Sequence, residues 1–149
     1  MFKVLVYGGY HNSYVYSEHL AYGLSSLPNV KAIPILLPSS KYSKIEHYFP
    51  KKEDIRNNLE SLIENNSITH IINYNTNHID SNIILYLKNK YNINVSAYYN
   101  DSPFSSHPSK IIYYFNQKSA FKFYDHIFIY RDQDKEILTS LYKINDKHI

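Results

Sequence analysis

Short apolar runs alternate with segments of helical periodicity along the chain, and this alternation constrains the fold more than any other feature. Each run is rich in β-branched and aromatic residues and is followed by a segment whose apolar residues recur every three or four positions. A strand that re-enters its sheet after a helix lies parallel to the first, through a right-handed crossover. The sequence therefore predicts an α/β fold: a Rossmann-like three-layer sandwich with a five-stranded parallel sheet of order 3-2-1-4-5.

The predicted strands are residues 3–7, 30–37, 69–74, 93–99 and 126–130. The predicted helices cover residues 13–27, 50–66 and 79–91, then 109–115 with 118–124 as an extension or a second helix, and a last helix opens at Asp132. The apolar stripes that we expect to face the core in the first and last helices are Tyr16, Leu20, Leu24 and Leu27, and Ile137, Leu141 and Ile144. The first and last strands are apolar throughout, which is typical of strands buried on both faces.

Length and composition favour one compact domain. The chain has 149 residues, 44% hydrophobic and 19% charged, which excludes a disordered protein. It contains no cysteine, which excludes disulfides, thiolate zinc sites and a cysteine nucleophile. Its apolar runs are too short for a membrane span, and its N-terminus lacks a signal-peptide pattern. We therefore expect residues 1–149 to form a single cytoplasmic domain without a transmembrane segment.

The basic residues do not predict a nucleic-acid interface. The net charge is only +3, and Arg56 and Arg131 are the only arginines among sixteen basic residues. Recognition of phosphates and base edges favours arginine forks on a concentrated basic face, whereas these lysines are scattered along predicted helices. Solvated helix faces explain them better.

In a doubly wound sheet, ligands bind beyond the carboxyl ends of the strands, near the point where strand order reverses. The loops predicted to meet there begin at Gly8-Gly9, Asn75, Asn100 and Arg131. They lack the motifs of several common sites: G-x-G-x-x-G for dinucleotides, a P-loop, paired receiver acids, a histidine pair at metal-ligand spacing, and a G-x-S-x-G elbow. No metal and no cofactor is predicted.

His11 and Asp101 are the candidate catalytic residues. A neutral imidazole could accept a proton from an attacking hydroxyl, and a carboxylate on the neighbouring loop could orient it. The alternatives are a solvent-facing histidine and an aspartate that caps a turn. Gly8 and Gly9 either permit a sharp turn or let a ligand approach the backbone. The other candidate contacts, chiefly amides and rings suited to carbohydrate hydroxyls, are Tyr10, Asn12, Asn75, Asn77, Asn100, Ser102, Phe104 and Arg131.

Three stretches resemble a known family. Gly8-Gly9 with the helix 16–24, the turn 100–104 (Asn-Asp-Ser-Pro-Phe), and residues 124–128 (Tyr-Asp-His-Ile-Phe) are similar to the N-terminal half of GT-B glycosyltransferases, of the CgeB-like subgroup. The resemblance implies an acceptor-binding domain that faces a separate donor-binding domain. It also implies transfer of a sugar from a nucleotide-sugar donor to a carbohydrate or other hydroxyl acceptor, with His11 as the base.

The resemblance covers only the first of the two domains of that family. The 149 residues have no room for the donor-binding domain. We therefore expect the chain to be inactive without a C-terminal domain or partner subunit. The alternative is a non-catalytic Rossmann-like module that binds a small ligand or a partner.

Overall fold

The computed structural model describes residues 1–10, 15–37 and 51–149; side chains of residues 9, 10, 15, 36, 37 and 116 are not described. The strands are β1 (Phe2–Tyr10), β2 (Val30–Leu37), β3 (His70–Tyr74), β4 (Asn94–Tyr98) and β5 (Ile127–Phe128). The α-helices are α1 (Val15–Ser25), α2 (Lys52–Asn66), α3 (Ser81–Tyr91), α4 (Pro108–Lys118) and α5 (Asp132–Ser140). Two 3₁₀ turns, Phe121–Phe123 and Asp146–His148, follow α4 and α5.

The five strands form one all-parallel sheet, which confirms the predicted fold class. Its order is 2-1-3-4-5 rather than the predicted 3-2-1-4-5, because β3 pairs with β1 and not with the outer side of β2. The composition of β2 explains the difference. Pro34 has no N–H to offer a further neighbour, so this strand suits the edge of a sheet.

The described helices lie on both faces of the sheet. Apolar residues of α2, α3, α4 and α5 join Leu5, Ile71 and Val95 in the main core. On the opposite face, α1 packs over β1 and β2 with Ala21 against Val6 and Tyr74. The three layers predicted from the sequence are therefore present.

Helix boundaries follow local chemistry at several ends. Asp80 caps α3 by accepting hydrogen bonds from the main-chain N–H groups of Asn82 and Ile83, both 3.1 Å long. Pro108 opens α4, a position where its missing N–H costs nothing. The predicted cap of α1 at Asn12 or Ser13 and the predicted helix start at Pro50 lie outside the described residues.

Two predicted buried stripes are correct only in part. In α1, Leu20 and Leu24 pack against the core as predicted, but Tyr16 and Leu27 are exposed, and Ala21 is buried beside them. At the last helix, Ile144 packs against the main core, but Leu138 is buried while Leu141 is 72% exposed. Adjacent positions on a short helix share most of the apolar periodicity, so the sequence does not separate them.

The last strand also differs from its prediction. Only Ile127 and Phe128 form ladder pairs, with Ala97 and Tyr98. Ile127 is buried, but Phe128 is 47% exposed, so β5 is not buried on both faces as expected. On the face of Phe128, the described helix α1 packs mainly over β1 and β2, at the other end of the sheet.

Candidate functional site

The carboxyl ends of four strands are level with one another. The parallel registers align Gly8 with Tyr74, Tyr74 with Tyr98, and Tyr98 with Phe128. The chain leaves β1 towards β2 on one side and returns to β3 on the other, so the strand order reverses between β1 and β3. This reversal is where ligands bind in doubly wound sheets. The loops after β1, β3 and β4 begin at this reversal or one strand from it.

Gly8 has a structural reason to be glycine. Its φ is +130°, and a Cβ built on it would lie 2.2 Å from the main-chain oxygen of Tyr74. A side chain at this position would therefore collide with β3. At Gly8, the group that comes close to the backbone is therefore the neighbouring strand β3.

His11 and Asn12 lie outside the described residues, and the Tyr10 side chain is not described, although Gly9 and Tyr10 belong to β1. The pairing of His11 with Asp101 therefore stays a prediction.

The loop after β3 is held by hydrogen bonds to α4. Asn75 has a left-handed backbone (φ 47°) and its Oδ1 accepts a 2.7 Å hydrogen bond from the Tyr114 hydroxyl. The main-chain N–H of Asn75 donates to the Tyr98 oxygen at 2.9 Å, which ties the loop to β4. Asn77 is only 2% exposed. Both predicted contact residues are thus placed at the edge, and both are anchored to the protein itself.

Asn100 and Asp101 follow β4 at the same edge. The Asn100 amide donates a 3.1 Å hydrogen bond to the Tyr74 hydroxyl. The Asp101 side chain is 49% exposed, and its Oδ2 lies 2.6 Å from the Lys110 ammonium in the first turn of α4. Sequence reasoning missed Lys110. Lys110 follows Asp101 by nine residues and lies in the next predicted helix. A lysine at the start of the helix that follows an acidic turn was the signal that could have indicated this pair.

Ser102 and Phe104 hold the rest of this loop in place. The buried Ser102 hydroxyl donates a 2.6 Å hydrogen bond to Oδ1 of Asp134 in α5. The ring of Phe104 packs against Phe121 and Tyr142, with centroids 5.5 and 5.7 Å away. Both residues were predicted as ligand contacts, and the structure places both in internal packing that fixes the loop.

Arg131 is exposed after β5, and its guanidinium lies over the Tyr130 ring, 5.3 Å from the centroid. It is a cation at the rim of the sheet, two strands from the reversal point.

A buried network of polar side chains lies in the core next to the loop after β3. No local sequence pattern predicts it. The hydroxyls of Tyr99 and Tyr124 both donate to Oε1 of Gln117, at 2.9 and 2.7 Å. The Asn73 amide donates to the Tyr124 hydroxyl at 2.7 Å, and the Gln117 amide donates to the oxygen of Ile79 at 2.8 Å. These bonds connect β3, α4 and the loop before α3, and those of Asn73 span 44 to 51 residues of chain.

The phenols near the edge are held neutral. Burial, together with the neighbouring Tyr98, Tyr16 and Asp101, raises the pKa of Tyr74 to about 12. Burial also raises the pKa of the Tyr114 hydroxyl. Near neutral pH these groups therefore act as hydrogen-bond donors and acceptors without charge. Asp101 supplies the exposed carboxylate.

Two kinds of site are absent from the part of the chain that the structure describes. Within residues 1–10, 15–37 and 51–149, no three His, Asp or Glu side chains gather closely enough to hold a metal ion. No helix in those ranges combines the length and apolarity needed to cross a membrane.

Comparison with known proteins finds matches to this chain in structure but not in sequence. No protein-family model and no curated protein matches the chain. Solved structures do match: a UDP-GlcNAc 2-epimerase from Neisseria meningitidis bound to UDP-GlcNAc has a TM-score of 0.70 and 10% identity over 99% of this chain. An S. aureus MnaA–UDP co-structure has a TM-score of 0.69 and 12% identity over 98% of this chain.

A putative UDP-N-acetylglucosamine 2-epimerase from Listeria monocytogenes has a TM-score of 0.73 and 12% identity over 99% of this chain. The chain spans 43–44% of the length of these three proteins, so it corresponds to less than half of each. At 10–12% identity the likeness shows the fold alone. The chain has the Rossmann-like α/β fold of that portion of UDP-GlcNAc 2-epimerases.

Proposed function

We propose that this chain is the acceptor-binding half of a glycosyltransferase that moves a sugar from a nucleotide-sugar donor to a hydroxyl acceptor, and that it is inactive alone. The observation that carries the proposal is the alignment of Gly8, Tyr74 and Tyr98 at the reversal point, which puts Asn75, Asn100 and Asp101 at one edge. Support comes from the fold, which is shared with part of proteins named as UDP-GlcNAc 2-epimerases.

The described edge suits uncharged hydroxyls better than a diphosphate. Two lysines near the edge are already paired with carboxylates: Lys110 with Asp101, and Lys52 with Asp80. Asn75, Tyr98 and Asn100 are half-buried at this edge, and amides and phenols exchange hydrogen bonds with alcohols in both directions. A diphosphate would instead favour several free cations close together, whereas the exposed Arg131 lies two strands from the reversal point. The donor therefore belongs to a separate domain or subunit in this proposal.

In the proposed reaction His11 removes the proton from the acceptor hydroxyl as that oxygen bonds to the anomeric carbon of the donor sugar. The bond from that carbon to the phosphate oxygen breaks, and the nucleotide leaves with the electron pair. Asp101 orients the imidazole and stabilises its charged form. In the described structure the Asp101 carboxylate is held by its ion pair with Lys110. General-base catalysis of this kind contributes roughly 10²–10⁴ to a rate.

The test is a binding experiment on the 149-residue chain with two kinds of probe. ¹⁵N-labelled protein is titrated with neutral oligosaccharides and, separately, with UDP-GlcNAc, and the side-chain amide signals of Asn75 and Asn100 are followed. We expect an oligosaccharide to shift the signals at this edge and UDP-GlcNAc to leave them unchanged. Incubation with UDP-GlcNAc should yield neither hydrolysis nor an epimer. Tight UDP-GlcNAc binding, or epimerisation by the chain alone, would overturn the proposal.

One observation favours the non-catalytic alternative. Because Oδ2 of Asp101 is already paired with Lys110, the ammonium offsets part of the negative charge that an imidazole would meet in the described arrangement. A Rossmann-like module that binds a ligand or partner would need no such base. In that case an oligosaccharide could bind at the edge, but the pKa of His11 would not respond to removal of the Asp101 charge.

A further inference from the structure

The strand β5 is an edge of the sheet: it lies last in the strand order and, among the described residues, pairs only with β4. The C-terminal 3₁₀ turn contacts the chain just before this strand, where Nδ1 of His148 lies 2.7 Å from the Asp125 oxygen. The main-chain oxygens of His126 and Phe128 accept hydrogen bonds from Ala97 and Tyr99, both 2.9 Å long. Alternate residues of a parallel edge strand point their main-chain groups in opposite directions. The N–H and C=O groups of the intervening residues, 127 and 129, therefore point away from the sheet.

The two edges of the sheet differ in protection. The other edge strand, β2, contains Lys31 and Pro34, two residue types that discourage further pairing. Residues 126–130 read His-Ile-Phe-Ile-Tyr, with no proline, lysine, arginine or carboxylate. Phe128 is 47% exposed and Tyr130 is 64% exposed. Such an uncharged edge of high β-propensity is suited to pairing with another strand.

A row of aromatic rings runs across the sheet to this edge. Tyr74 and Tyr98 stack with centroids 5.5 Å apart and planes 20° apart. Tyr98 and Phe128 follow at 6.4 Å and 34°. These rings occupy adjacent strands on the α1 side, where α1 packs over β1 and β2 and reaches Tyr74, which is buried. The row therefore ends at the half-exposed ring of Phe128, on the open side of β5.

We propose that β5 pairs with β5 of a second copy of this chain, antiparallel and about a two-fold axis through Phe128. Ile127 then lies opposite the partner's Ile129, and each exchanges main-chain hydrogen bonds through the outward-pointing groups. Phe128 lies opposite the partner's Phe128 as a non-hydrogen-bonded pair, with Cα atoms about 4.5 Å apart. The aromatic row continues from one subunit into the other on the same face.

A second copy fits this edge better than a charged partner. A two-fold interface brings one surface against itself, so like charges in it would repel. Residues 126–130 carry no formal charge with histidine neutral, although the chain as a whole carries +3. Directly opposed aromatic residues are also a favourable cross-strand pair. This proposal is independent of the proposed sugar transfer.

A cysteine cross-link tests the pairing directly, because the chain has no cysteine of its own. In Phe128→Cys, opposed Cα atoms about 4.5 Å apart would be within disulfide range. We expect mild oxidation to give a disulfide-linked dimer of this variant. The matched control is Phe115→Cys, since Phe115 is 69% exposed on α4. Equal cross-linking of both variants, or cross-linking of the control alone, would show random collision and overturn the proposal.

Sedimentation velocity supplies a test that keeps the aromatic ring. We expect the unaltered chain to sediment with twice its 17.6 kDa mass, and Phe128→Lys to sediment as a folded 17.6 kDa monomer. Phe115→Lys should leave the dimer intact. Circular dichroism checks that each variant is folded. A monomeric unaltered chain at about 1 mM, where even a Kd of 1 mM populates a dimer, overturns the proposal. So does a dimer that Phe128→Lys leaves unchanged.

Discussion

The Asp101 carboxylate lies 2.6 Å from the Lys110 ammonium, joining the loop after β4 to the first turn of α4. Both side chains are more than one third exposed, so solvent screens the pair and it adds little to stability. The ion pair instead fixes the position of the carboxylate at the edge where the ligand site is proposed. An imidazole that approaches Asp101 therefore meets a carboxylate whose Oδ2 already contacts an ammonium.

We predict that the His11 imidazole has a lower pKa in Asp101→Asn than in the unaltered chain. A carboxylate beside an imidazole favours its charged form, so removing the negative charge lowers the pKa. In Lys110→Met the competing cation is gone, and the pKa of His11 should rise. The measurement is an NMR pH titration of the histidine ring protons, with His11→Gln to assign the signal.

The matched control for this titration is Asp132→Asn, which removes an exposed carboxylate at the start of α5. It should leave the His11 titration unchanged. If Asp101→Asn has no effect either, residues 11 and 101 are not neighbours, and the base-and-orienter mechanism is wrong.

Two glycines should respond to alanine in opposite directions. Gly8→Ala puts a Cβ 2.2 Å from the Tyr74 oxygen and requires an unfavourable φ, so we expect the free energy of unfolding to fall by about 2–4 kcal/mol. Gly23 lies in α1, and a Cβ added there would meet no atom within 4 Å, so Gly23→Ala should raise it by about 0.5–1 kcal/mol. Urea unfolding at neutral pH measures both values. Equal effects would contradict the close approach of β1 and β3.

Ser102→Ala should destabilise the chain by about 1–3 kcal/mol. The change removes the donor to Asp134 and leaves a buried carboxylate oxygen without that hydrogen bond. Ser140→Ala is the control, because the Ser140 hydroxyl donates to the Glu136 oxygen on an exposed part of α5. It should change the free energy of unfolding by no more than about 0.5 kcal/mol. Urea denaturation measures both variants. Equal losses of unfolding free energy would contradict the stabilising role of the Ser102–Asp134 hydrogen bond.

Stability should fall in alkaline solution. Burial raises the pKa of Tyr74 to about 12 and also raises the pKa values of Tyr99, Tyr114 and Tyr124, whereas an unfolded tyrosine ionises near 10. Above about pH 10 the unfolded chain therefore binds fewer protons than the native one, and the free energy of unfolding falls as pH rises.

Urea titrations at pH 8, 10, 11 and 12 measure this slope, and absorbance at 295 nm follows tyrosinate formation. The variant Tyr74→Phe should show a shallower fall than the unaltered chain. Tyr22→Phe is its control, since Tyr22 is 81% exposed on α1. A flat stability profile up to pH 12 would contradict the burial of these phenols.

Local sequence patterns predicted the elements and the side of the sheet on which a site would lie. The runs at β1, β3 and β4 were recognisable because apolar and β-branched residues cluster between turn residues. In α2 the residues Ile55, Leu59, Leu62 and Ile63 recur at helical spacing; three of them are buried, and Leu62 packs against the core half-buried. Parallel strands end at a common edge, so the positions of Asn75 and Asn100 followed from the fold class.

The strand order and the partners of the edge residues were not readable from the sequence. Whether β3 adds beside β1 or beyond β2 depends on long-range pairing that no local pattern encodes. The same holds for Asn73, whose hydrogen bonds to Gln117 and Tyr124 join residues 44 and 51 positions apart. Only the folded chain showed that Gly8 is constrained by β3 and that Ser102 is bound to Asp134.

Sequence alone determined the kind of layers this protein has, because hydrophobic periodicity acts over a few residues and each helix or strand must bury its own apolar side. Tertiary structure alone decided which strand neighbours which, and which edge was left open with the Phe128 ring half-exposed. The physical reason is that pairing and packing energies depend on which distant segments come into contact in space. Local patterns in the sequence do not specify those contacts.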